Sequence, residues 1–187
     1  MIIQLGDKKM RLIKITEKQN TEAFYFTQKL LSKYIYMIYK NEFKNIKSII
    51  KPTSINYNSL IYCNKKFYGS CQYLSFKSFK ENINNKYFII NGLEIKVGFL
   101  SIELNEIDIC SNKPIHISIN NLHISDKFQK HGIGKEVIEL LLKKQVPLEM
   151  LVYKFNKNMH KLIRKFKHTE DTWTSHLNKI IIYPKYQ

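Results

Sequence analysis

Cysteine is scarce in this chain, and the three present, Cys63, Cys71 and Cys110, fall at no metal-ligand spacing. Any disulfide scheme leaves one of them unpaired, which argues against a disulfide scaffold and suits a reducing compartment. Long apolar runs are missing too. Asp7, Lys8, Lys9 and Arg11 interrupt the only early candidate for a signal peptide, and no stretch approaches the roughly 20 apolar residues that cross a bilayer. The expectation is a soluble, cytoplasmic protein without a membrane partner. Acidic residues are in short supply, with 15 Asp and Glu against 31 Lys and Arg, for a net charge of +16. Such a balance suggests a nucleic-acid or acidic-protein partner. The charge is scattered, however, and it accompanies an abundance of Asn, Ile, Tyr and Phe that fits a genome rich in A and T. No RNA-recognition, zinc-finger or helix-turn-helix pattern goes with it, so no nucleic-acid partner is expected. Repeats, low-complexity tails and linkers are absent as well. With 187 residues, 44% of them hydrophobic, the chain is long enough to bury one core, and residues 1–187 read as a single domain.

Against this background, Gln129-Lys130-His131-Gly132-Ile133-Gly134-Lys135 stands out. Before it runs Ile115 to Ile124, rich in β-branched residues, and after it Ile133, Val137, Ile138 and Leu141 recur at helical spacing. A glycine pair between a strand and a helix lets backbone N–H groups approach a phosphate, and the helix N-terminus adds roughly half a positive charge. The motif is not a P-loop, because no glycine lies five residues before Gly134 and Glu136 stands where Ser or Thr is needed. Nor is it the dinucleotide fingerprint, whose third small residue is replaced by Val137.

The surrounding elements read as follows. Arg11 to Thr16 alternates as a strand, and Glu22 to Lys51 carries a helical stripe of Phe24, Leu30, Leu31, Tyr34, Ile35, Ile38 and Tyr39 that ends before Pro52. Thr53 to Asn85 is tyrosine-rich and weakly periodic. Lys86 to Ile90 and Leu93 to Leu104 flank Asn91-Gly92, a strong hairpin signal. The strand before the cradle and the cradle helix follow, then a strand from Leu148 to Tyr153. A helical stripe of Phe155, Met159, Leu162, Ile163 and Phe166 comes next, and a last strand at Ile180 to Tyr183. The segment between Ile124 and Leu148 supplies the crossover helix that a parallel strand pair requires.

This order, with Q-x-x-G-x-G between strand and helix, resembles the Gcn5-related N-acetyltransferase (GNAT) superfamily. The resemblance implies an α/β (α+β) fold: a mixed, mostly antiparallel central sheet, helices on both faces, and a splayed strand pair that binds coenzyme A. From about Lys96 onward the chain is most similar to the α-tubulin N-acetyltransferase family. Val97-Gly98-Phe99-Leu100, the run Ile119 to Glu136, Lys161-Leu162-Ile163-Arg164-Lys165-Phe166 and Asn178-Lys179-Ile180-Ile181-Ile182-Tyr183 carry that similarity. It implies transfer of acetyl from acetyl-CoA, without a metal, to a protein lysine, with α-tubulin or microtubules as partner and an association with the cytoskeleton. Another GNAT acting on a different protein or a small amine is the alternative, as is a degenerate member that binds CoA or tubulin without transferring.

The resemblance also assigns residues. Backbone groups of Leu122, His123 and Ile124 would pair with the pantetheine arm, in the manner of an added strand. Gln129, Lys130, His131, Gly132, Ile133, Gly134 and Lys135 would hold the phosphates, and Asn156 would lie near the cofactor or cap its helix. The family's cysteine and aspartate on the strand before the cradle align with Ser118 and Asn121, and its second aspartate aligns near Tyr153. None of these three is a usual general base at neutral pH. Attack requires a neutral amine, so His116 or His123 becomes the candidate proton acceptor. Strict alternation places His116 with Ser118 on one strand face and Asn121 with His123 on the other. Glu103, Asp108 and Cys110 are near in sequence, with salt bridging or packing the simpler role for each. Tyr62, Tyr68 and Tyr73 read as a substrate groove or core packing. Lys157, Lys161, Arg164 and Lys165 read as a solvated basic face or one that guides an acidic substrate.

Overall fold

The computed structural model describes residues 10–30, 79, 85–106, 114–175 and 177–185. The chain divides into two compact units, one of Met1–Lys14 with Asn84–Gln187 and one of Ile15–Ile83. In the second, Thr16 and Gln19 form a capping box around the 3-10 turn Glu17–Gln19, and residues 20–30 continue as helix α1. Ala23, Phe24 and Thr27 are its buried residues; the Thr27 hydroxyl donates to the Ala23 carbonyl at 2.7 Å, and the Phe24 ring meets Phe79 edge-on at 5.7 Å. The expected continuation of the helical stripe toward Lys51 and nearly all of the tyrosine-rich segment fall outside the described residues, as do Asp108, Cys110, Tyr62, Tyr68 and Tyr73.

The first unit is a seven-stranded sheet: β1 (Arg11–Lys14), β2 (Asn85–Ile90), β3 (Lys96–Glu106), β4 (Pro114–Ile124), β5 (Leu148–Tyr153), β6 (His168–Thr172) and β7 (Leu177–Ile182), ordered β1-β2-β3-β4-β5-β7-β6. Every neighbour pair is antiparallel except β4 with β5. Helix α2 (Ile133–Leu142) makes the crossover between those two, and α3 (Lys157–Ile163) connects β5 to β6. Both helices bury their apolar stripes in one cluster, where Val137, Ile138, Leu140, Leu141 and Ile163 join Leu100, Ile102, Ile117, Ile119, Leu148, Met150, Val152, Ile180 and Ile182. Burying each such side chain fully is worth about 1.5–3 kcal/mol, which is why a seven-residue helix as short as α3 is held. Phe88, Phe99 and Ser101 lie outside this cluster and are fully buried, Phe88 opposite Phe99 in the β2–β3 register.

Two local outcomes differ from the sequence pattern. The hairpin loop is longer than a two-residue turn: Asn91 Oδ1 accepts from the Leu93 and Ile95 amides, and the positive φ falls on Glu94, at 60°. Strand β6 is an addition. His168-Thr-Glu-Asp-Thr172 offers no apolar alternation because it forms the outer edge of the sheet and is mostly exposed. Among the described residues no helix is long and apolar enough to cross a membrane.

Candidate active site

The site begins where two strands part. Strands β4 and β5 pair only at Ile117↔Leu148 and Ser118↔Glu149. Beyond that, β4 stays bonded to β3 as far as Gly98↔Ile124, while β5 stays bonded to β7 as far as Tyr153↔Leu177. An opening results, with Ile119–Ile124 on one side and Met150–Tyr153 on the other. Along it the β4 edge is not covered by β5, which is the requirement for receiving an extended, amide-bearing ligand.

A β-bulge shapes the β4 arm. Ser101 pairs with Asn121 and Ile102 with Ile119, so Asn120 has no counterpart on β3. The extra residue reverses the alternation. Leu122 and Ile124 therefore join Ile117 and Ile119 against the core cluster, and Asn121 and His123 come to the face that carries His116 and Ser118. Strict alternation had separated these two pairs; the bulge unites them.

On that face the polar side chains form a connected group. Asn105 Nδ2 donates to Ser118 Oγ at 2.6 Å and lies 2.9 Å from His116 Nε2. His116 Nε2 is 3.5 Å from Glu149 Oε2, which Lys179 Nζ approaches to 2.9 Å. Asn105, Glu149 and Lys179 were not singled out from sequence, because only the parallel register of β4 with β5 brings Glu149 beside Ser118. Glu103 is exposed, and its carboxylate accepts from Asn120 Nδ2 at 3.4 Å.

His123 lies further along the β4 arm, opposite Phe99. Burial lowers its pKa to about 4, so near neutrality its ring is uncharged and its Nε2 lies 3.3 Å from Asn121 Oδ1. The sign of the consequence is fixed by linkage. Unfolded histidine binds a proton near pH 6.5 while folded His123 does not until about pH 4, so its contribution is fully present above pH 6.5 and is lost as the pH falls through that window. Thermal unfolding of the wild type is expected to lose stability between pH 6.5 and 4, by up to about 3 kcal/mol before solvent screening. His123→Gln is expected to flatten that part of the profile, and an unchanged slope would show that His123 titrates normally.

The loop Gln129–Lys135 follows the free end of the β4 arm. Ser125 N donates to Val97 O at 2.8 Å, the 3-10 turn Asp126–Phe128 follows, and Gln129 Nε2 donates to Ile124 O at 2.9 Å and Asp126 Oδ1 at 3.0 Å. Gln129 thus fastens the loop to the end of β4. Lys130 and Gly132 both have positive φ, 66° and 86°, and Gly132 caps α2. The Lys135 and Glu136 amides bond back to Gly132 O, at 2.9 and 3.1 Å. The preceding amides at Ile133 and Gly134 belong to the first helical turn, which has no internal acceptor. Lys130 and His131 are exposed; Lys135 is paired with Glu139 at 3.2 Å. The glycines differ in purpose. Gly132 supplies the left-handed backbone, whereas a Cβ on Gly134 would stand 3.1 Å from Leu162 Cδ2 of α3.

At the end of the β5 arm, the Tyr153 ring stacks on Phe155 at 5.2 Å, and its carbonyl accepts from the Asn156 amide at 2.8 Å. Asn156 Oδ1 caps α3 by accepting from Met159 N at 3.2 Å. The basic residues Lys157, Lys161, Arg164 and Lys165 are all exposed. Among the described residues no group of three His, Cys, Asp or Glu is arranged to hold a metal ion.

No protein-family model matches the chain, and no curated protein sequence matches it. Solved structures do. An acetyltransferase from Thermus thermophilus is similar at a TM-score of 0.51 with 14% identity, over 98% of this chain and 99% of that one. Spermidine N-acetyltransferase from Vibrio cholerae, in complex with CoA and spermine, gives a TM-score of 0.55 with 10% identity, over 94% and 95%. The microcin C7 self-immunity acetyltransferase MccE, in complex with acetyl-CoA and AMP, gives 0.52 with 16% identity, over 94% and 92%. At these identities the likeness concerns architecture, and that architecture is the fold of GNAT-type acetyltransferases.

Proposed function

We propose that this protein is an acetyl-CoA-dependent N-acetyltransferase, one domain over residues 1–187, whose acceptor is a primary amine on a small molecule. The observation that carries this reading is the cradle lying directly beyond the parted β4 and β5 arms. The two features fit the two halves of one ligand. The amides and positive-φ residues of Gln129–Gly134 suit a pyrophosphate, with Lys130, His131 and Lys135 to neutralise charge. The backbone edge at Leu122, His123 and Ile124, which β5 does not cover, suits the amides of a pantetheine arm. Acetyl-CoA supplies an activated thioester carbonyl. The chain's own residues orient the amine, exclude water and provide an N–H near Leu122 for the oxyanion. Asn121 and Tyr153 line the two arms and position the acceptor, while Asn156 holds the start of α3 by its cap.

The acceptor is assigned to small amines because a protein of this fold is named for spermidine and is held with spermine. α-Tubulin lysine, which the sequence resemblance implied, is the second acceptor to test; its support is the similarity beyond Lys96 alone. Calorimetry with acetyl-CoA, followed by transfer assays on polyamines, amino acids, aminoacyl nucleotides and an α-tubulin peptide, tests the reading. Binding and transfer to a small amine are expected. Failure to bind acetyl-CoA would overturn it, and transfer to the tubulin peptide alone would reassign the acceptor.

A further inference from the structure

We propose that His116 and Glu149 form the proton-accepting pair for the amine, with His116 Nε2 taking the proton and Glu149 stabilising the resulting imidazolium. The inference rests on the acetyltransferase reading and deepens it by naming the residues that make the amine neutral. The pair sits at the closed end of the opening, since Ser118↔Glu149 is the last parallel contact before β4 and β5 part. His116 Nε2 has two neighbours of opposite character. In the neutral tautomer with its proton on Nδ1, the Nε2 lone pair accepts from Asn105 Nδ2 at 2.9 Å; Glu149 Oε2, at 3.5 Å, accepts from Nε2 only once that atom carries a proton. The carboxylate therefore acts on the protonated state selectively, and a group that strengthens only as the proton moves accelerates the step.

Ser118 Oγ, joined to Asn105 at 2.6 Å, lies on the same face between His116 and the opening, so proton transfer runs through its hydroxyl or a water beside it. Among the described residues, the charged groups facing the pair are Lys179 from β7, 2.9 Å from Glu149, and the exposed Glu103 from β3, opposite Ser118. Lys179 holds the carboxylate in place. Burial lowers the pKa of His123 to about 4, which makes it a weak proton acceptor. The balance is complete. The ammonium gives one proton to His116 Nε2, the amine nitrogen bonds to the carbonyl carbon, the carbon–sulfur bond breaks, and the second nitrogen-borne proton goes to the departing thiolate. The imidazolium then returns its proton to solvent.

The test combines kinetics with a readout that needs no cofactor. His116→Ala is expected to lower kcat/KM about 100-fold at pH 7 and to remove the acid limb of its pH profile. Glu149→Gln is expected to lower it about tenfold. Acetyl-CoA affinity by calorimetry should be unchanged in both. In the protein alone, NMR titration of the His116 ring should shift to lower pH on Glu149→Gln, because the imidazolium loses its carboxylate. If His116→Ala does not fold, His116→Asn carries the same comparison. Wild-type kinetics in the variants, or an unmoved NMR titration, would overturn the pair while wild-type transfer still supports the enzyme. A wild type that neither binds acetyl-CoA nor acetylates any amine would overturn both.

Discussion

Gly132→Val is expected to weaken acetyl-CoA binding at least about 100-fold while the protein stays folded. The backbone there has φ +86°, and a Cβ added to it meets nothing nearer than Glu136 Oε1 at 3.8 Å. Lack of space within the protein is therefore not the obstacle. A β-branched residue in the left-handed region costs on the order of 1–3 kcal/mol, and the loop relieves that strain by turning its amides away from the position a phosphate needs. The new methyls would also crowd an anion approaching the helix N-terminus. Each 1.4 kcal/mol is tenfold in affinity, so strain and obstruction together reach the expected loss. Calorimetry measures it, and far-UV circular dichroism with thermal unfolding shows that the sheet persists. Gly134→Ala is the contrast. Its Cβ would press on the far end of a flexible leucine in α3, so a small loss of stability with little loss of affinity is expected. Equal affinity in Gly132→Val and wild type would remove the cradle from the phosphate site.

The strand-to-helix turn at Gln129–Lys135 is legible in the sequence because two glycines between a β-branched run and a helical stripe leave few structural alternatives. Strand β5 is legible for a similar reason: Leu148 to Tyr153, bounded by Pro147, is a short apolar run, and the strand occupies Leu148–Tyr153. The faces of β4 depart from strict alternation, although the bulge leaves a trace in the sequence. Apolar residues fall on odd numbers from Ile115 to Ile119 and on even numbers from Leu122 to Ile124, and that change of parity is Asn120. Strand β6 left no trace, since an exposed edge strand needs no apolar alternation. Glu149 could not be found at all from its neighbours in sequence. It joins His116 only through the parallel pairing of β4 with β5, whose register depends on how α2 packs and therefore on the whole unit. Both histidines are visible as residue types, but what separates them, the burial of His123 and the cross-strand carboxylate beside His116, is set by tertiary structure.

Gly98→Val is expected to damage both stability and cofactor binding, through a single backbone contact. A Cβ at Gly98 would stand 2.5 Å from His123 O, 2.9 Å from Ile124 Cδ1 and 3.0 Å from Ile89 Cδ1. The first is the backbone of β4, which no rotamer change can clear, so β3 and β4 must separate where they pair at Gly98↔Ile124. Overpacking of this kind costs about 1–3 kcal/mol and sometimes more; for a chain of this length each kcal/mol lowers Tm by about 2–4 °C. The displaced segment is also the β4 arm whose backbone at Leu122, His123 and Ile124 is assigned to the pantetheine amides. Affinity for acetyl-CoA should therefore fall even at temperatures where Gly98→Val is fully folded, a loss that destabilisation alone does not produce. Measuring Tm and then affinity well below it separates the two effects. Lower Tm with wild-type affinity would confine Gly98 to packing and detach the β4 arm from the cofactor. Unchanged Tm would mean that the close approach of β3 to His123 O is relieved without loss, and that the glycine of the Gly98-Phe99 strand is there for some reason other than space.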